Sequence, residues 1–356
     1  MAASLYDEEE IQKSLPVGHN IIKASLFNLI VLSHDPERTS HCEELINIIV
    51  EKFPCRVIFV KTDPNAQADF LRTSYHLLTV GAGEHKVFCD LISIEGAAQQ
   101  SVKIPFLVLP HIVPDLPVFI LVGHDPTQDL QVVQEIEKYA TRLIFDPETI
   151  DNFGHFATRL LDASKRTHCE FFDMNWSRMR GWREIIAQVF SPPDAFHQLD
   201  TSKMIQINYA LAPKKQKLLQ EMQAVYLQAW LASRLNWKLI GVEKQDREWR
   251  IFYSHNHGGT TISLIPRDTD VLQAGAIFSF EAMTYDDFHF LITHETERKF
   301  VKVHASNKER CEMPYTVYLS NFQSGASLVN DIFYQPQSSH YAAALSQLSN
   351  DAWARA

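Results

Sequence analysis

Residues 172–193, FDMNWSRMRGWREIIAQVFSPP, set Trp176 and Trp182 among Arg178, Arg180 and Arg183. Tryptophan and arginine suit the recognition of another macromolecule, because each offers a large contact area with one polar or charged handle. They have a structural use as well: a guanidinium stacked on an indole face docks one helix on another. A second mixture, WLASRLNW at 230–237, places Arg234 between Trp230 and Trp237. The candidate partner-binding residues are therefore Asn175, Trp176, Arg178, Trp182, Arg183, Glu184, Arg234 and Trp237. Recognition and helix docking both remain open for Arg178, Arg183 and Arg234.

Other constellations are thinner. His255-x-His257 would put two imidazoles on one face of a strand, although HNHGG equally reads as a hairpin turn and no third metal ligand is visible. The alternative function, a sensor or enzyme that binds a sugar phosphate or nucleotide, would meet the anion with His34, Arg56 and Arg142, which fall near strand ends, at the carboxyl edge where open α/β sheets take ligands. A dinucleotide cradle needs glycines in the turn after the first strand; here that turn reads SHDPERTSH. Gly81-Ala82-Gly83 leads into a strand instead of a helix, and there is no phosphate-binding loop or nucleophile elbow. Asp286 and Asp287 are adjacent, so on a strand they would point to opposite faces, the wrong geometry for shared acid–base work. The expectation is no catalytic residue, no cofactor and no metal.

The elements that must carry these residues can be read from periodicity. Met179, Trp182, Ile186, Val189 and Phe190 mark one face of a helix over 172–193, capped by Asp173 or Asn175 and ended by Pro192 and Pro193. Arg178 and Glu184 fall away from that face, with Arg183 on its border. Upstream, the apolar run 25–33, a helix after Pro36, and the run 55–61 form a βαβ unit, which implies a parallel sheet. Further strands are read at 87–96, 116–123 and 143–146, with a helix over 129–140; 105–109 is either strand or helix. Downstream, period-two runs at 249–255, 260–266, 276–282, 288–293, 300–304 and 315–319 follow a strand at 204–209. The expected fold is an α/β N-terminal domain with a mostly parallel open sheet, then an α+β domain with an antiparallel meander and packed helices. The boundaries are an acidic segment over 1–23, the α/β domain over 24–160, and the α+β domain over 161–356. Its helical tail from Gly325 is polar enough to lie on the surface.

Composition narrows the functional classes. Apolar residues at 46% and charged residues at 21% are those of a globular chain, and 356 residues suffice for two cores. With 33 basic against 43 acidic residues the formal charge is −10, which disfavours nucleic acid and anionic lipid as partners. No apolar run approaches the ~20 residues of a membrane span. The acidic start MAASLYDEEE is unlike a signal peptide, so the expected location is cytoplasmic. Five cysteines without a CxxC pair are expected to be reduced thiols.

The two tryptophan segments together resemble the glucose-6-phosphate dehydrogenase assembly proteins, the OpcA family, with its Asn-Trp-x-Arg…Trp-Arg-Glu helix ahead of Trp-Leu-Ala-Ser-Arg-Leu-x-Trp. Pro54-Cys55-Arg56-Val57-Ile58, Leu91-Ile92-Ser93-Ile94-Glu95-Gly96 and Asp115-Leu116-Pro117-Val118-Phe119 resemble the family's strands in the same order, so the likeness runs from about Ser25 to Tyr253. The chain departs from the family at Leu121 and Val122, which replace a tryptophan pair. The resemblance implies a non-catalytic partner of glucose-6-phosphate dehydrogenase, one that promotes its active oligomer and raises its activity in the oxidative pentose phosphate pathway.

Overall fold

A computed structural model describes residues 5–6, 23–34, 36–80, 87–127, 131–150, 152–211, 219–269, 272–294, 300–309, 311–318, 331–333 and 338–356. Most of the acidic segment, Asp35, Gly81-Ala82-Gly83, the start of the 129–140 helix and much of 319–337 lie outside the described residues. The chain divides into two compact units. The first holds 1–146, 163–174 and 325–335; the second holds 147–162, 175–324 and 336–356.

The first unit is built on an eight-stranded sheet. Its strands are β1 (Leu5–Tyr6), β2 (Asn28–Ser33), β3 (Arg56–Asp63), β4 (Leu71–Val80), β5 (Val87–Ala97), β6 (Val118–Val122), β7 (Arg142–Phe145) and β8 (Glu170–Asp173). Their order is β1-β4-β5-β3-β2-β6-β7-β8, parallel from β5 through to β8 and antiparallel only at β4 and β1. NLIVLS of β2 and VFILV of β6 are buried along their whole length, as central parallel strands covered on both faces must be. Helix α1 (Pro36–Lys52) turns Cys42, Leu45, Ile46, Ile49 and Val50 into a core shared with Val57, Phe59, Leu91 and Phe119. Residues 104–108, ambiguous by pattern, form a short helix α2 (Ile104–Val108) with proline in its first turn. Helix α3 (Gln131–Glu137) follows β6. Strand β4 escapes sequence reading because Arg72, Thr73, Ser74 and Tyr75 are exposed, leaving no alternation of apolar residues to read.

The second unit carries another eight-stranded sheet. It consists of β9 (Ser202–Leu211), β10 (Lys238–Gln245), β11 (Glu248–His255), β12 (Gly258–Asp268), β13 (Ile277–Thr284), β14 (His289–His294), β15 (Phe300–Ser306) and β16 (Tyr315–Tyr318). The order β10-β11-β12-β9-β13-β14-β15-β16 is two antiparallel meanders joined through β9, which runs parallel to β12. Asp286 and Asp287 sit in the β13–β14 turn instead of on a strand, and Asp287 takes a left-handed backbone. Helices α4 (Phe153–Arg166), α5 (Met174–Arg178), α6 (Arg180–Val189), α7 (Pro193–Asp200) and α8 (Met222–Arg234) precede most of the strands. Along α8 every residue from Met222 to Ala232 is buried, so this helix is wrapped on all sides.

The C-terminal tail departs from its expected surface position. In α9 (Ser339–Leu348), Tyr341, Ala344, Leu345 and Leu348 are buried at three- and four-residue spacing and the helix packs along α8. In α10 (Asp351–Arg355), Trp353 packs on Phe153 and Trp249, with ring centroids 5.7 and 5.5 Å apart. Gly154 makes the approach possible, since a Cβ there would lie 2.7 Å from the Ala354 nitrogen. Gly154→Ala is expected to destabilise the fold by about 1–3 kcal/mol through overpacking. Unfolding midpoints of the two proteins test this; equal midpoints would show that the tail is not held at this contact.

Candidate partner-binding surface

The predicted helix over 172–193 breaks in two. Met179 leaves helical geometry at φ −89° and ψ 9°, separating α5 from α6, and Pro193 opens α7. The break changes which side chains face inward. Trp176 is buried against Tyr341 and Tyr226, at 5.1 and 6.1 Å between centroids. Arg183 lies 3.9 Å over the Trp176 ring and its Nη1 donates to the Trp176 carbonyl at 2.7 Å. Trp182 is buried with Nε1 donating to the Ile277 carbonyl at 3.0 Å. Stacking and hydrogen bonding of this kind fix helices to each other and to the sheet.

Arg178 contradicts its expected exposure. Its side chain is only 7% exposed, and Nη1 meets Glu148 Oε1 at 3.4 Å and buried Asn175 Oδ1 at 3.3 Å. The cause is tertiary: Glu148, thirty positions away, lies over the guanidinium and takes it out of water, which a helical wheel cannot register. Of the candidates on α5 and α6 only Glu184 is exposed, paired with Arg180 at 2.8 Å.

Arg234 and Trp237 come together at the end of α8. Trp237 is 1% exposed, with Nε1 donating to Asp200 Oδ1 at 3.3 Å and its ring stacked on His255 at 5.4 Å. Its partners Asp200 and His255 line a groove of about 420 Å³ together with Arg234, Asn236, Lys238 and Phe196 among others. Arg234 and Lys238 are exposed, and Phe196, a large apolar side chain lining the same groove, presents 49% of its surface. Phe196, Asn236 and Lys238 were not anticipated. The left-handed φ of 54° at Asn236, just past a helix end, is a turn signal that could have placed them.

The histidine pair belongs to this neighbourhood as a hairpin. Asn256 and His257 form the turn between β11 and β12, His255 Nε2 shares a hydrogen bond with Thr260 Oγ1 at 3.0 Å, and His257 Nε2 lies 3.6 Å from Asp200 Oδ2. Burial, with His257 nearby, holds the His255 imidazole below its ordinary pKa against the pull of Asp200. Among the described residues no group of three or more His, Cys, Asp or Glu side chains is arranged to hold a metal. Cys42, Cys55, Cys89 and Cys169 are buried free thiols; burial pushes Cys42 and Cys89 up to about 11 and Cys169 to about 12. Cys311 is free and exposed.

The anion alternative as first drawn does not assemble. In a parallel sheet, residues that open strands and residues that follow them lie on opposite edges. Arg56 opens β3 and Arg142 opens β7, whereas His34 follows β2. Arg142 is buried and bound to Glu170 and to the Ile332 carbonyl. At the carboxyl edge the His34 ring lies tilted by 32° against His124, which follows β6, with centroids 4.2 Å apart, and hydrogen-bonds Thr62. Arg38 Nε donates to the Gly123 carbonyl at 2.9 Å, and Gly123 has no room for a Cβ, which would fall 2.8 Å from Cys42 Sγ. His34, His124 and Arg38 thus bring side chains together at this edge.

No helix among the described residues is long and apolar enough to cross a membrane. Two family models match: the glucose-6-phosphate dehydrogenase subunit N-terminal domain over residues 46–161, and the C-terminal domain of the same subunit over 169–345. Among curated relatives, the putative OxPP cycle protein OpcA of Synechocystis sp. is 23% identical over 58% of this chain and 42% of its own length. The protein of the same name from Synechococcus elongatus is 23% identical over 61% of this chain and 48% of its own. The matches thus take in less than half the length of these relatives. Among solved structures, UDP-N-acetylglucosamine 3-dehydrogenase GnnA from Acidithiobacillus ferrooxidans aligns at a TM-score of 0.48 and 8% identity, covering 92% of this chain and 98% of that one. The transcriptional regulator Gal80p of a Kluyveromyces yeast aligns at 0.48 and 10% identity, covering 98% and 96%. With the two models between them spanning most of its length, the chain belongs to the glucose-6-phosphate dehydrogenase assembly, or OpcA, family.

Proposed function

We propose that this protein is a non-catalytic partner of glucose-6-phosphate dehydrogenase that binds the enzyme and favours its active oligomer, within the cytoplasm and the oxidative pentose phosphate pathway. The observation that carries the reading is the match of both halves of the chain to models named for a subunit of that dehydrogenase. The side chains packed into the carboxyl-edge crevice of the first unit support a role other than hydride transfer. The contact falls at the groove beside Trp237. There Phe196 supplies an apolar anchor and Arg234 and Lys238 the charged rim, the composition typical of a binding hot spot. Activation is linkage: a protein that binds the active oligomer better than the inactive form shifts the population toward it, and tenfold needs only ~1.4 kcal/mol of differential binding.

The test is the rate of NADPH formation by the cognate dehydrogenase with and without the purified protein, with size-exclusion chromatography of the same mixtures. About tenfold activation with co-elution is expected. Arg234→Glu is expected to cut the activation about tenfold while leaving the melting curve unchanged, because the side chain is exposed. An unchanged rate with separate elution, both proteins being folded, would reject the reading. Full activation by Arg234→Glu would move the contact away from this groove.

A further inference from the structure

A pocket of about 250 Å³ opens on the first unit, lined by Lys23, Arg56, Tyr75, His76, Asp90 and His111 over an apolar floor from β4 and β5. We propose that it binds a small organic anion through a phosphoryl or carboxylate group held by Arg56 and Lys23. Arg56 is brought there as the first residue of β3, beside Asp90 of β5; Asp90 pairs across the sheet with Leu77 of β4. His111 ends a short 3-10 turn, Leu109–His111, and its carbonyl accepts from Arg56 Nη1 at 3.2 Å.

The charge count within the pocket is uneven. Arg56 Nη2 lies 2.5 Å from one oxygen of Asp90 and Lys23 Nζ 3.1 Å from the other, so a single carboxylate stands between two cations. Burial pushes the Asp90 carboxyl up, but hydrogen bonds from Arg56 and Lys23 outweigh it and hold the group below its ordinary value, so it is fully ionised. The lining described therefore keeps one positive charge in excess, in a chain whose formal charge is −10. A guanidinium beside an ammonium is the chemistry that receives phosphoryl or carboxylate oxygens.

Two further groups suit the rest of such a molecule. Tyr75 Oη and His111 Nε2 are 3.3 Å apart at the rim, an alcohol and an imidazole able to exchange their mutual bond for ligand hydroxyls. Burial and the adjacent Arg56 hold the His111 imidazole below its ordinary pKa, so at neutral pH it keeps a lone pair as well as an N–H. The volume is below the ~300 Å³ at which drug-sized sites begin, so the ligand is a small metabolite and not a dinucleotide. The inference rests on this pocket alone and is independent of the dehydrogenase partnership.

Inorganic phosphate is the probe, titrated into the full chain at constant ionic strength set with sodium chloride and followed by phosphorus NMR line width. Saturable binding is expected. Lys23→Met should weaken it about tenfold through loss of one charge-assisted contact. Asp90→Asn should tighten it by removing the competing carboxylate. A parallel titration with acetate, read by calorimetry, distinguishes the two head groups: saturation by phosphate alone assigns a phosphoryl ligand, and by acetate alone a carboxylate. Failure of both anions to saturate overturns the proposal. So does undiminished binding by a folded Lys23→Met and a folded Arg56→Gln, each checked by circular dichroism.

Discussion

Arg178→Glu is expected to lower stability by about 3–5 kcal/mol, the cost of leaving a buried charge uncompensated and setting it against a like charge. In the native fold the guanidinium is 7% exposed and bonded to Glu148 at 3.4 Å and Asn175 at 3.3 Å. Reversing its sign puts two carboxylates where one ion pair stood. Arg178→Met should cost less, because it leaves Glu148, which is 21% exposed, with some access to water. Urea unfolding followed by circular dichroism measures both, and Glu148→Arg in the Arg178→Glu background should recover part of the loss. A midpoint unmoved by Arg178→Glu would mean that the residue lies at the surface after all. The distinction bears on the proposed function: if the dehydrogenase binds as proposed, loss of binding by this variant would report a damaged fold, whereas the same loss in Arg234→Glu would report the proposed contact.

Acid should weaken the first unit through the buried pair of His34 and His124. Burial, then the nearby His34 and Arg38, holds His124 down to about 3, and burial also lowers His34. Both ring nitrogens of His124 are buried without a hydrogen-bond partner, so nothing in the fold welcomes a proton there. With the folded pKa below the unfolded value of 6.5, the unfolded chain takes up the proton first as pH falls. The stability is therefore fully present above about pH 6.5 and is lost progressively down to about pH 3. The slope approaches ~1.4 kcal/mol per pH unit for His124, or about 2 kcal/mol lost at pH 5. Comparing urea midpoints at pH 7 and pH 5 for the wild type and His124→Phe isolates the contribution, since phenylalanine keeps the ring and removes the titration. Identical losses in the two proteins would assign the acid sensitivity to other groups.

Local pattern and tertiary arrangement contributed differently to what could be read. The buried strands β2, β3 and β6 were legible because a central parallel strand is apolar throughout, and a continuous apolar run is visible without knowing its neighbours. The meander strands were legible because one buried face imposes alternation. Strand β4 was not: Tyr75 and its polar neighbours carry no period. The candidate surface divides the same way. Composition singled out the Trp and Arg segments, but Trp176 and Trp182 are buried, Arg183 lies over the Trp176 ring, and the exposed groove takes Arg234 from one segment and Phe196 and Lys238 from outside both.

Taken by itself, the sequence determined the family, the two kinds of sheet and the absence of a glycine turn after the first strand, because motifs and short-range periodicity are properties of neighbouring residues. Only the tertiary structure decided which charges face water. Arg178 is hidden by its contacts with Asn175 and with Glu148, thirty positions away. Arg56 and His34 were separated by the parallel direction of their strands, and Arg56 was joined instead to Lys23 and Asp90 across the sheet. Burial and pairing depend on contacts between residues distant along the chain, and a single sequence does not record those contacts.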